Sequence, residues 1–127
     1  MKIPVITLVA TLMAATSVAA IEYNDFADAV DVAAFEGVTD DWKRKTGNRF
    51  SECGVYGQDG NRRVDVLVSR YRALADAVST GDESAATSAA QSLSRAVNAN
   101  NRFKSCWKKI ARNEGFSPDF TRMIIKG

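Results

Sequence analysis

The sequence predicts an all-α fold: a small bundle of four or five helices with one inter-helix disulfide, following a cleaved signal peptide. Three observations carry this. Apolar residues recur at steps of three and four through most of the chain, and no segment alternates convincingly with a period of two. The only two cysteines, Cys53 and Cys106, close two matching stretches, "NRFSEC" at 48–53 and "NRFKSC" at 101–106. The first twenty residues have the layout of an export signal.

The signal is the first element. Met1 and Lys2 form a short cationic start, "IPVITLVATLMAA" at 3–15 is apolar, and Ser17, Val18, Ala19 and Ala20 supply the small residues of a cleavage region. The apolar run is shorter than the roughly 20 residues that span a bilayer. The expected division is a signal peptide at 1–20 and one helical domain at 21–127, leaving 127 − 20 = 107 residues, enough for one modest core. The expected location is secreted and extracellular, with a bacterial periplasm as the alternative. In an oxidising compartment, two cysteines point to one disulfide.

The helices follow in order. Residues 24–36 place Phe26, Ala29, Val30 and Ala33 at helical spacing, with Asn24 or Asp25 to cap the start and Gly37 to stop. Thr39 then suits an N-cap, and Trp42, Thr46, Arg49, Phe50 and Cys53 fall on one face of a helix that Gly54 can end. Gly47 weakens it by about 1 kcal/mol relative to Ala. The stretch "GVYGQDGN" at 54–61 holds three glycines and reads as a loop. Val64, Leu67, Val68, Tyr71, Leu74, Ala75 and Val78 form the clearest core stripe, stopped by Gly81. From Asp82 a long apolar face runs from Ala86 to Ile110, interrupted by Asn98, Asn100 and Asn101, residues that compete for backbone hydrogen bonds and favour a break. Gly115 stops this face, and Ser117-Pro118 opens a final short helix through Ile125.

The cysteine pattern carries little chemistry beyond the bridge. Zinc needs about four ligands, and two distant cysteines in a chain without histidine do not supply them. Neither Cys-x-x-Cys nor a haem-attachment motif occurs, and a catalytic cysteine would lack its usual basic partner. The expectation is a Cys53–Cys106 staple, each half backed by a phenylalanine three residues earlier, at Phe50 and Phe103. Asp40-Asp41 and Asp82-Glu83 stand at helix starts, where acids offset the terminal dipole. No metal, cofactor or catalytic residue is expected, although an enzyme built on carboxylates or arginines converging in a cleft remains open.

Charge is more informative in its distribution than in its sum. The whole chain carries a formal +2, which gives no global reason to expect nucleic acid. Residues 21–41 hold seven acids and no base, while 102–127 hold seven bases against Glu114 and Asp119. The plain expectation is that these ends lie close and partly neutralise each other; the sharper one is a basic end presented to a partner. The candidate contact residues are Arg102, Lys104, Trp107, Lys108, Lys109 and Arg112, a basic amphipathic stretch suited to an acidic protein groove or an anionic surface. Its apolar side is also expected to face the core through Cys106. Arg62-Arg63 and Lys43-Arg44 are dibasic pairs of the kind processed in eukaryotic secretion.

In general plan, though in no motif, such a chain resembles the small secreted fungal proteins that act on hosts or competitors. The expected function is accordingly a non-enzymatic secreted protein of effector or virulence type, binding an unknown extracellular or host partner. The alternatives are a carrier of a lipid or other apolar ligand, in a cavity lined by Val64, Leu67, Tyr71, Phe103 and Trp107, or a bacterial periplasmic helical binding protein.

Overall fold

Residues 21–35, 39–55 and 61–126 are described by the computed structural model. The expected export signal at 1–20, Gly37 and most of the expected glycine-rich loop lie outside them. The described residues form six α-helices: α1 (Tyr23–Phe26), α2 (Asp40–Arg49), α3 (Arg63–Thr80), α4 (Glu83–Val97), α5 (Asn101–Glu114) and α6 (Pro118–Lys126), with 3-10 turns at Ala27–Ala29 and Ser51–Cys53. Among them there is no strand, only one antiparallel bridge between Val55 and Arg62. The expected helical bundle with one disulfide is the architecture found.

α3 and α4 form its spine. Val64, Leu67, Val68, Tyr71, Leu74 and Ala75 of α3 are buried. Gly81 closes the helix in the left-handed region (φ 74°), which glycine enters without a Cβ penalty. The Asp82 carboxylate then accepts from the Ala85 N–H at 3.0 Å and starts α4. So short a link makes the two helices antiparallel neighbours. α4 turns Ala86, Ala90, Leu93, Ala96 and Val97 inward, small side chains that let it sit close to α3. Arg70 crosses between the two, donating to the Ser92 hydroxyl (2.8 Å) and carbonyl (3.1 Å).

The asparagine cluster does break the long apolar face. Asn98 leaves the helical region and donates back to the Ser94 carbonyl at 2.8 Å, while the Asn100 side chain accepts from the Phe103 N–H at 3.0 Å and caps α5. α5 buries Phe103, Cys106, Trp107, Ile110 and Ala111 and ends at Gly115 (φ 78°). The Ser117 hydroxyl accepts from Phe120 N–H at 3.0 Å, so Ser-Pro opens α6 as expected. Three side chains hold α6 in place. Ser94 and Asn98 donate to the Ile124 carbonyl at 2.7 and 3.2 Å, and the Trp107 indole donates to the Thr121 carbonyl at 3.2 Å.

Two segments depart from the periodicity. The expected helix at 24–36 lasts one α turn and one 3-10 turn, and the chain is extended at Val30 (ψ 122°). The cause is Tyr71. Its buried hydroxyl accepts from the Asp31 N–H and donates to the Asp31 carbonyl, both at 2.9 Å, taking the groups a continuing helix would use. The Asp31 carboxylate also accepts from Ala33 N–H at 3.0 Å and bends the chain further. The next residues bring Phe35 into the core at a left-handed φ of 64°, unusual for an aromatic residue. It is held by edge contacts to Trp42, Tyr71 and Phe116, and by the Arg72 guanidinium on its carbonyl.

The second departure is at α2, which is capped by Thr39 as expected (Trp42 N–H to Oγ1, 3.1 Å) but stops at Arg49. Phe50 is extended, and a 3-10 turn carries Cys53 to Cys106, with Cα atoms 5.0 Å apart. The two Asn-Arg-Phe-x-x-Cys stretches are therefore not equivalent turns: the second is regular helix, the first is not. Gly47 is explained by a close approach. A Cβ there would lie 3.1 Å from Cδ of Arg62 and 3.4 Å from the Cys53 carbonyl oxygen.

Two outcomes are expected. Reducing Cys53–Cys106, which spans 53 residues, should lower stability by roughly 4 kcal/mol in the chain-entropy picture. Urea denaturation with and without reductant reads this, and an unchanged midpoint would contradict it. The second concerns alkaline pH. Burial raises the Tyr71 phenol above its ordinary value. A raised folded-state value means that its stabilisation is complete below the unfolded tyrosine value of about 10 and is lost as pH climbs beyond it. Stability should therefore fall above about pH 10, and fall less steeply in Tyr71→Phe, which at neutral pH should be weaker by about 1–3 kcal/mol. Parallel pH profiles of the two proteins would refute the assignment.

Candidate functional site

With its apolar face locked inward, α5 must present its bases outward. Lys104, Lys108 and Arg112 are spaced by four residues and so share one stripe; Lys109 lies on the next. Arg102, Lys108 and Arg112 are exposed, and Lys104 and Lys109 are half-buried. Trp107 is the exception among the candidate contact residues. It is 0 % exposed, packed against Tyr71, Phe116 and Phe120 with ring centroids 5.7–6.4 Å apart, so it does not reach a partner. Its part is to support the helix from within.

The C-terminal half of α5 is a basic crest between two grooves. On one side Lys108 and Arg112 face α6 across a groove of about 350 Å³, completed by Phe116, Pro118, Thr121, Arg122 and Ile125. On the other, Lys109 and Arg112 meet Arg49, Phe50 and Asn113 around a groove of about 330 Å³. Arg112 belongs to both. In the second groove the Phe50 ring meets two cations, with the Arg49 guanidinium carbon 5.1 Å and the Lys109 ammonium 5.4 Å from its centroid.

The electrostatics of the two sides differ. Lys109 is engaged: its ammonium lies 3.0 Å from Glu52, which also accepts from the Ser105 hydroxyl at 3.2 Å. The Glu52 backbone N–H, then Lys109 and Ser105, hold that carboxyl below the ordinary glutamate range. Arg122 pairs locally with Asp119 at 2.6 Å. Lys108 and Arg112 enter no ion pair among the described residues. No ion pair among them joins 21–41 to 102–127, although the two segments do meet at Phe35 and Phe116, whose ring centroids are 5.9 Å apart. Three acids of the first segment are engaged locally: Asp25 and Asp31 accept from nearby backbone, and Asp41 pairs with Arg44 and Lys45.

Other candidate features resolve differently. Val64, Leu67, Tyr71, Phe103 and Trp107, the imagined walls of a carrier cavity, are all buried, and Tyr71 is stacked on Phe116 at 4.9 Å and tilted against Trp107 at 6.4 Å. Arg63 of the first dibasic pair is buried at the start of α3, its guanidinium 5.7 Å from the Phe103 ring, and Lys43-Arg44 lies within α2. Helical and buried backbone is a poor substrate for processing, which needs an extended, accessible chain. Among the described residues no group of three or more His, Cys, Asp or Glu is placed to hold a metal ion, and no helix is long and apolar enough to cross a membrane.

The groove beside α6 was only half legible beforehand. The bases of α5 are visible in the sequence, but Phe116, Pro118 and Ile125 belong to a turn and a second helix whose docking against α5 no local pattern announces. No protein-family model, curated protein or solved structure matches this chain.

Proposed function

We propose that this is a non-enzymatic secreted protein that acts by binding an acidic extracellular or host partner through the basic crest of α5. The observation that carries this reading is the pair Lys108 and Arg112, exposed, without an ion pair among the described residues, and set beside a groove with an apolar floor. A base that serves only to stabilise its own fold gains by sitting against a carboxylate or a helix C-terminus. Lys108 has neither, and Arg112 alone lies in the last turn of α5. A disulfide joining two buried cysteines suits an oxidising compartment, in keeping with the signal-like start of the chain. The lack of histidine and of any catalytic motif favours binding over catalysis. The carrier reading has less in its favour, because the aromatic side chains that would line its cavity are in contact with one another.

The test compares two single charge reversals. With the purified protein as bait, Arg112→Glu should lower partner retention about tenfold, the equivalent of roughly 1.4 kcal/mol. Arg95→Glu, an exposed reversal on α4, should leave it near the wild-type level. Equal retention by both variants would reject the α5 surface.

A further inference from the structure

Resting on that reading, we propose that the α5–α6 groove receives an extended acidic peptide of the pattern acid–apolar–acid, its two carboxylates on Lys108 and Arg112 and its apolar side chain on Ile125, Pro118 and the edge of Phe116. The argument starts from the two walls. The α5 wall carries Lys108 and Arg112, one helical turn apart and so about 6 Å along the axis. The rest of the lining combines three apolar side chains with Thr121 and Arg122: Ile125 is half-buried, Pro118 is exposed, and Phe116 is mostly buried. Arg122, on the α6 side, already has Asp119 at 2.6 Å. The unpaired positive charge therefore lies on the α5 wall, and the groove's apolar side chains, Phe116, Pro118 and Ile125, lie off it beside Thr121 and the paired Arg122.

An extended peptide matches that division. Alternate side chains point to opposite sides and repeat every roughly 6.6–6.8 Å. Two acids separated by one residue thus meet the Lys108–Arg112 spacing within about 1 Å, while the residue between them points to the apolar wall. A helical ligand could match this spacing with acids four residues apart, but at about 10–12 Å across it is too wide for a groove of about 350 Å³. The Arg112 guanidinium suits a bidentate carboxylate contact; the Lys108 ammonium acts as a point charge.

A lipid surface fits less well. A helix that lies in a membrane interface buries an outward apolar face in the acyl boundary. Here the apolar face of α5 is Phe103, Cys106, Trp107 and Ile110, all turned into the core. Among the described residues, the exposed large hydrophobics, Val32 (50 %) and Val55 (56 %), do not line the groove. What the crest offers is a concave apolar strip beside two cations, a shape for a side chain rather than for a bilayer. At about 350 Å³ the groove is at the small end of binding sites, which run from roughly 300 to 1,000 Å³, and suits one anchoring side chain.

The probe is a peptide with Glu-Leu-Glu at the centre of a Gly/Ser sequence, titrated into isotopically labelled protein and followed by NMR amide shifts. Saturable shifts at Lys108, Arg112, Thr121 and Ile125 are expected. Replacing the central Leu by Ser should weaken binding at least roughly tenfold, because the apolar burial is lost, and replacing both Glu by Gln should do the same through charge. Lys108→Glu with Arg112→Glu, both at exposed positions, should reject Glu-Leu-Glu and accept Lys-Leu-Lys. If Glu-Ser-Glu binds as well as Glu-Leu-Glu, the anchor is wrong and the proposal is overturned, while a generally acidic partner survives. If the peptides leave the shifts unmoved but phosphatidylserine vesicles bind the protein and phosphatidylcholine vesicles do not, the proposal is overturned in favour of a lipid surface. If Arg112→Glu also retains every captured partner, the broader reading falls with it.

Discussion

A tyrosine hydroxyl in the middle of an apolar core sets the terms for the rest of this fold. Tyr71 lies at the centre of the α3 stripe with 0 % exposure, surrounded by Phe35, Trp107, Phe116 and Phe120. A buried hydroxyl without a partner costs more than a typical hydrogen bond returns, and helices packed by aromatic and aliphatic side chains offer none. The chain supplies one from outside the helices, through the backbone of Asp31. That solution has consequences upstream and downstream. It ends the helical run that began at Tyr23, and it brings Phe35 over the ring in a strained backbone conformation. Phe35 and Phe116 then cover Tyr71 from two separate turns.

The bridge acts in a comparable way. Cys106 sits in the inward face of α5 between Phe103 and Trp107, so a bond from it to Cys53 ties the rotational setting of α5 to the 3-10 turn after α2. Trp107 reinforces that setting by donating to α6. With the apolar face fixed, Lys104, Lys108, Lys109 and Arg112 cannot rotate inward. The basic crest is thus a mechanical consequence of the staple and the indole, and Trp107 matters to the surface without touching anything outside.

What was legible in the sequence follows the physics of each signal. α3, α4 and the start of α6 announce themselves because apolar periodicity, glycine stops and oxygen caps are local features, and the asparagine cluster marks the break before α5 for the same reason. Phe35 and Phe116 are invisible to that reasoning. Each lies in a turn, off any stripe, and is recruited by a tyrosine 36 or 45 positions away in the chain (71 − 35 and 116 − 71). Gly47 looks like a flaw in a helix until Arg62 is seen crossing it. The candidate groove divides along the same line: its cations come from one periodic helix, whereas its apolar wall depends on how α6 docks, which is decided by Ser94, Asn98 and Trp107 through space.

Near-neutral composition is no argument against an anionic partner once the charges are placed. At physiological salt a charge is felt over about 8 Å, so a ligand approaching α5 responds to Lys108 and Arg112 and hardly at all to the exposed acids near the first turn. The formal +2 averages regions that a partner never meets together. For the same reason the internal pairs matter as much as the open charges. Glu52 quiets Lys109 and Asp119 quiets Arg122, which leaves Lys108 and Arg112 as the bases lining the α5–α6 groove without an ion pair among the described residues. If the proposed peptide is the ligand, selectivity would come from local spacing beside the apolar side chains, and it would survive changes in total charge that left those two side chains and the docking of α6 intact.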